Sequence, residues 1–179
     1  MKIDYTKNPE RGLLFMGLLY CDGNIYSEAL SILKEKFGEL YYESIPISWS
    51  HSSFYKDELG LQPILRKFIF FDGIYDPSRL ADTKLQTINI EKQFSIDGKR
   101  RINIDPGYMT LAKVVLASTK NYSHRIYLNK GIFAELTLVN IKGQFQPHLF
   151  TYPDFIEKPT LDIFHKVRQM AYIKWRSEV

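Results

Sequence analysis

Three side chains in this sequence have the chemistry for proton transfer or metal ligation: Asp105, His124 and Glu135. A carboxylate can accept a proton or bind a cation, and an imidazole ordinarily titrates near neutral pH. Together they form an oxygen–nitrogen set that Mg, Mn, Fe or Zn would accept. Their spacing matches no dedicated metal motif, so a divalent metal is an open cofactor. Tyr108, Lys113, Lys120, Arg125 and Tyr152 stand around them as candidate ligand-binding residues. Between Asp105 and Asp154 lie 48 residues in which Glu135 is the only acid. The chain's own composition would place about five acids there. The same span holds Lys113, Lys120, Arg125, Lys130 and Lys142, and if their side chains converge they form a surface for an anion.

Each of these residues also has a plain structural reading. Asp105-Pro106-Gly107-Tyr108 reads as turn chemistry at a strand exit, proline fixing one φ and glycine free to take a positive one. Glu135 interrupts an apolar strand, where an unpaired carboxylate is costly. A cross-strand pair with Arg125 satisfies both residues and is compatible with ligand binding. For residues 111–119 two readings stand. One is a helix capped by Thr110, whose N-terminus would offer N–H groups to an anion beside Gly107. The other is a strand, because Val114-Val115-Leu116 is β-prone.

The elements that must position these residues come from the apolar pattern. Leu13–Cys21 is continuously apolar, as expected of a strand buried on both faces. Asp22-Gly23-Asn24 turns it into a helix with Ala29, Leu30, Leu33 and Phe37 on one face, stopped by Gly38. Residues 40–47 and 65–71 read as strands. Asp76-Pro77 opens a helix to about Phe94, and Asp97-Gly98 turns the chain into a strand over 100–104. Residues 48–62 form a long connection and a candidate lid. This order predicts an α+β fold with a ferredoxin-like βαββαβ core over 12–105, mainly antiparallel, its first and third strands central. Residues 106–179 extend it within a single domain. The extension holds the ambiguous 111–119 segment, a hairpin of 124–128 with 132–140 around Asn129-Lys130-Gly131, loops at 146–148 and 151–154, and a final amphipathic helix from Pro159. That helix turns Leu161, Phe164, Val167 and Ala171 inward.

Bulk properties exclude several classes. At 45% hydrophobic and 25% charged, the 179 residues are ordinary globular material. The single Cys21 permits no disulfide framework and reads as a small buried hydrophobe. The amino end is too polar for a signal peptide and no apolar run approaches a membrane span, so a cytoplasmic protein without membrane partners is expected. G-x-x-x-x-G-K-[ST], G-x-G-x-x-G and G-x-S-x-G are all missing, which removes the P-loop, Rossmann and serine-hydrolase sites.

Asp105-Pro106-Gly107-Tyr108, Leu111–Ala117, Tyr122–Leu128 and Thr151-Tyr152-Pro153-Asp154, in this order and with Gly98-Lys99-Arg100-Arg101 before them, resemble a bacterial and archaeal family marked by the DPGY motif. The resemblance covers nearly the whole chain. That family is known only as a domain of unknown function, so the resemblance implies no activity, cofactor or catalytic residue. Some members carry a GTP-binding label, which this chain's lack of a P-loop does not support.

Three functions are therefore carried forward. The first is an enzyme or binding protein for a small anionic or phosphorylated ligand, held by Lys113, Lys120 and Arg125 and shaped by Tyr108 and Tyr152, with Asp105, His124 and Glu135 for proton transfer or a metal. The second is an RNA-binding accessory protein, suggested by a sequence pI near 9.0 and by Lys166, Arg168, Lys174 and Arg176. Against it, the first and third strands carry no RNP-type aromatic motif. The third is a non-catalytic interaction subunit. Composition leaves the oligomeric state open.

Overall fold

A computed structural model describes residues 10–51, 59 and 63–178. Its elements are β1 (Gly12–Tyr20), α1 (Gly23–Phe37), β2 (Leu40–Glu43), β3 (Ile47–Ser48), β4 (Leu65–Phe71), a 3₁₀ turn (Pro77–Arg79) leading into α2 (Leu80–Gln93), β5 (Ile102–Thr110), β6 (Lys113–Ser118), β7 (Ile126–Asn129), β8 (Ile132–Ile141), β9 (Gln144–Gln146), α3 (Pro153–Ile156) and α4 (Lys158–Ser177). The proposed lid at 48–62 falls largely outside the described residues.

The strands form one nine-stranded sheet in the order β2-β4-β1-β5-β6-β8-β7, with β3 on β4 and β9 on β8. Every pairing is antiparallel. β1 and β4, the two most continuously apolar runs, are flanked by strands on both sides, and β1 is buried at all nine positions. The segment after Asp105 continues this same sheet.

Two layers cover the sheet. On one face Leu13, Phe15, Phe68, Phe70, Met109, Leu116 and Leu138 pack against Phe164, Val167, Ala171 and Trp175 of α4, the i, i+3, i+7, i+11 stripe of an amphipathic helix. On the other, Leu14, Met16, Leu18, Ile69, Phe71, Ile102 and Ile104 meet Tyr26, Ala29 and Leu33 of α1 and Ile90 of α2. Because α4 closes the first face, the inner strands offer no open aromatic platform of the kind single-stranded RNA stacks on. No described helix is long and apolar enough to cross a membrane.

Local signals explain the element ends. The Asp22 carboxylate accepts from Asn24 N at 2.8 Å to cap α1, and Asp76 accepts from Ser78 N at 2.9 Å just before Pro77. Lys130 and Gly131 both have positive φ, the backbone of a two-residue hairpin loop whose twist matches β7 and β8. Lys142 and Gly143 repeat that turn between β8 and β9.

One open alternative is settled and three expectations are corrected. Of the two readings for residues 111–119 the strand holds, over Lys113–Ser118: Thr110 Oγ1 accepts from Ala112 N at 3.0 Å and Lys113 N at 3.2 Å, tying a tight turn into β6. No helix N-terminus therefore lies beside Gly107. Asp105-Pro106-Gly107-Tyr108 is strand interior, because β5 runs on to Thr110 in register with β1. Residues 144–146 form β9 on β8, ahead of the remaining loop. Cys21 is half-buried, at the margin of a small cluster of Leu19, Trp49, Leu59 and Ile64.

Candidate functional site

The DPGY segment is built around an open strand edge. β6 pairs with β5 only over Gly107–Met109, so residues 102–106 have no strand on that side. Helix α2 covers the gap. Lys84 and Glu91, two helical turns apart, reach the same residue: Lys84 Nζ donates to Ile104 O at 3.1 Å, and Glu91 Oε1 accepts from Ile104 N at 2.6 Å. Since N–H groups two residues apart point the same way along a strand, Pro106 has its missing donor on this open side, where proline is tolerated. Gly107 is demanded by space. A Cβ there would lie 2.4 Å from Val115 O and 2.6 Å from Phe15 Cζ. Tyr108 turns to the opposite face, against Tyr75 at 6.4 Å between ring centroids.

Asp105 anchors a chain of ion pairs and hydrogen bonds. Its Oδ1 accepts from Lys84 Nζ at 3.0 Å and its Oδ2 from Asn103 Nδ2 at 2.7 Å, with Arg66 Nη1 at 3.9 Å. Arg66 crosses above Gly17, stands over the Phe68 and Phe155 rings, and pairs with Asp154 at 2.9 Å. Trp49 Nε1 donates to the same Asp154 oxygen at 3.3 Å. In the other direction Arg100 joins Asn103 at 2.8 Å and Glu91 at 3.1 Å. Burial alone would raise the pKa of Asp105, but the Lys84 and Arg66 charges and the two hydrogen bonds hold it below the ordinary value. For Glu91 burial prevails over Lys84 and Arg100, and its pKa is raised.

A second network lies at the same end of the sheet, on β8 and the loops beside it. Arg125 and Glu135 each keep only 1% of their side-chain surface accessible. Arg125 Nε and Nη2 both stand 2.8 Å from Glu135 Oε2; Nη1 donates to Ser118 Oγ at 2.7 Å and to Lys120 O at 3.0 Å, and Nη2 also donates to the Tyr152 hydroxyl. Every guanidinium N–H is thereby used. His124 Nε2 lies 3.1 Å from the same Glu135 oxygen, and its ring lies flat on Phe150 at 4.6 Å and 2°. Glu135 Oε1 is buried and has no partner among the described residues. The loop carrying Phe150 and Tyr152 is pinned to β8 by Thr151 Oγ1 donating to Thr137 O at 2.7 Å and by His148 Nε2 against Leu136 O.

Tyr152-Pro153-Asp154 links the two networks, since Tyr152 contacts Arg125 while Asp154 holds Arg66. The Tyr152 phenol is raised by burial, opposed by Arg125 and reinforced by both Glu135 and Asp105.

Of the residues singled out from sequence, His124, Arg125, Glu135 and Tyr152 come together, and Lys120 joins them through its carbonyl. Asp105 belongs to the adjoining network. Tyr108 lies across the sheet. Lys113 is exposed and pairs with Val139, on the order of 10 Å along β8 from Glu135. The expected cationic surface does not assemble: Arg125 is neutralised by Glu135, Lys130 is held by Asp82 at 2.6 Å, and Lys113 and Lys142 lie at the far end of β8. No group of three or more His, Cys, Asp or Glu able to hold a metal occurs among the described residues, so Asp105, His124 and Glu135 do not form one. Sequence reasoning missed Arg66, Lys84, Glu91, Asn103 and Asp154. The available signal was polar residues inside apolar patterns: Arg66 within β4, Asn103 between two isoleucines, and Lys84 with Glu91 on one helix face.

The "Domain of unknown function (DUF4416)" family matches residues 10–171, which span nearly every described element. The chain belongs to this family. Neither a curated protein nor a solved structure matches it. The matched region of this DUF4416 chain contains every residue of the two networks.

Proposed function

We propose that this DUF4416 chain binds a small polar ligand carrying an anionic group at the end of the sheet where β1 and β6 finish, and moves a proton on it through His124. The observation that carries the reading is the His124–Glu135 pair. Glu135 fixes the imidazole by Nε2 at 3.1 Å, while Nδ1 has no partner among the described residues. A histidine oriented by a buried carboxylate through one nitrogen and open at the other has the arrangement of a general acid–base. Tyr152, half-exposed beside it, is a second hydroxyl within the same network. The cation assigned to the anion is that of Lys120, an exposed residue tied to the network through its carbonyl, since Arg125 spends all its donors on the protein. The core is read as ferredoxin-like, supported by the order β2-β4-β1-β5 and its antiparallel pairings.

A thermal-shift screen of inorganic phosphate, nucleotides, sugar phosphates and small carboxylates tests the reading. At least one anion raises Tm for the wild type, and His124→Ala and Lys120→Ala reduce the rise. If no anion shifts Tm, or if both variants respond like the wild type, the site is not a binding site for such ligands.

A further inference from the structure

The sheet parts at the site. Pairing between β5 and β6 stops where Gly107 meets Leu116, while β5 stays on β1 through Asp105 and β6 stays on β8 through Ser118. Residues two apart on a strand share a face, as do cross-strand partners, so Asp105 and Ser118 both stand on the face of Glu135. They lie on either side of the gap. Ser118 Oγ accepts from Arg125 at 2.7 Å, so the gap separates the Asp105 carboxylate from the network that holds His124. Tyr152-Pro153-Asp154 joins the two sides, Tyr152 through Arg125 and Asp154 through Arg66.

Asp105 is the outward member of its own network. Lys84, Arg66 and Asn103 around it are buried, yet its side chain keeps 29% of its surface accessible. Lys84 takes one position on Oδ1 and Asn103 one on Oδ2. A carboxylate has about four lone-pair positions, so each oxygen keeps one to offer. Burial works against the charge, but Lys84 and Arg66 hold the pKa below its ordinary value, and the group accepts rather than donates. The same two cations limit what it can accept from. With Lys84 at 3.0 Å and Arg66 at 3.9 Å, a ligand ammonium would be a third positive charge crowded onto one carboxylate. A neutral hydroxyl brings a donor without that repulsion, and two adjacent hydroxyls match two oxygens with one free lone pair each.

We propose that Asp105 is a specificity-determining residue that accepts hydrogen bonds from adjacent hydroxyl groups of the ligand, which makes that ligand a hydroxylated anion of the sugar-phosphate or polyol-phosphate kind. The inference rests on the anion site proposed above and names the class of molecule it takes.

Three phosphate monoesters of nearly equal length test it by isothermal titration calorimetry. Terminal glycerol phosphate carries two adjacent hydroxyls, propyl phosphate carries none, and phosphoethanolamine carries an ammonium. The wild type should bind glycerol phosphate about tenfold more tightly than propyl phosphate, as expected of a hydrogen bond to a charged group. Phosphoethanolamine should bind no more tightly than propyl phosphate. Asp105→Asn should bring glycerol phosphate and propyl phosphate within about twofold of each other, with the propyl phosphate affinity retained as proof of fold. Where that variant does not fold, the wild-type ranking alone decides. Inorganic phosphate separates the two ways of failing. If it binds but glycerol phosphate has no advantage over the other esters, or if the advantage survives in Asp105→Asn, this inference is overturned and the anion site stands. If neither inorganic phosphate nor any ester binds, the anion site falls and the inference falls with it.

Discussion

Glu135 Oε2 receives His124 Nε2 at 3.1 Å and Arg125 Nε at 2.8 Å, while the buried Glu135 Oε1 receives nothing from the described residues. One carboxylate therefore does two jobs. It compensates a guanidinium that braces the 118–125 loop, and it fixes the ring of His124. The bracing is what makes the histidine's position reproducible, because the loop that carries His124 is closed by Arg125 onto Ser118 and Lys120. A buried pair broken on one side leaves an uncompensated charge, which costs far more than the net worth of the intact pair.

Glu135→Ala is accordingly expected to lower unfolding free energy by about 3–5 kcal/mol, and Arg125→Met by a similar amount. The double variant Glu135→Ala/Arg125→Met should cost clearly less than the two losses added, since neither charge is then left alone. Urea denaturation of the three proteins measures this. Strictly additive losses would mean that the pair does not act as a unit.

Much of the architecture was legible because it follows from apolar pattern and turn chemistry: the buried run of β1, the Asp76-Pro77 start, the glycine turns and the inward stripe of α4. The hairpin also gave the right partner for Glu135, since alternation and a short loop leave few cations within reach. Two things were not legible. Asp-Pro-Gly has turn composition, and only the third dimension shows that α2 covers the open edge and that Phe15 fills the space above Gly107. The acid-poor span likewise promised a cationic surface, but acids distant in sequence, such as Asp82, supply the missing counter-charges. Counting charges along the chain cannot show which ones meet.

Asp105 should govern acid stability. Its pKa in the fold lies below the ordinary 3.8, so the stability it contributes is present above that pH and is lost as pH falls through the depressed value. The side chain keeps 29% of its surface accessible, which moderates the effect. Glu91, raised in the fold, acts with the opposite sign: protonation relieves it, so its cost grows as pH rises from about 4.5. Asp105→Asn should flatten the decline below about pH 3.8 in a pH series of chemical denaturation, measured against the variant's own neutral-pH value. An unchanged acid limb would remove Asp105 from this role.

Gly107→Ala should cost about 3 kcal/mol, the upper end of overpacking losses. The nearest obstacle is the Val115 carbonyl at 2.4 Å, part of a backbone held between β5 and β8, and Phe15 blocks the remaining room at 2.6 Å. Trimming Phe15 to leucine in the same chain should not restore stability, because the carbonyl clash persists. Recovery of wild-type Tm in that double variant would show that the side chain alone sets the limit.

Lys113→Ala is the matching null. The side chain is exposed at the start of β6, and surface changes of this kind stay within about 0.5 kcal/mol. It should also leave the response to anions intact, in contrast to Lys120→Ala. A lost response in Lys113→Ala would place the ligand at the far end of β8.

Phe150 offers a way to separate the orientation of His124 from its chemistry. The two rings are parallel within 2° at 4.6 Å, and Phe150 is half-exposed, so truncating it removes a stacking contact worth about 1 kcal/mol while leaving the core untouched. In Phe150→Ala the Glu135 hydrogen bond remains but the ring loses the surface that keeps it in plane. Its side-chain NMR signals should broaden or shift, and a ligand that depends on Nδ1 should bind several-fold more weakly. Phe150→Tyr, which keeps a flat ring, should restore both. If His124 signals and ligand response are the same in Phe150→Ala as in the wild type, Glu135 alone orients the imidazole, and Phe150 belongs to the surface rather than to the site.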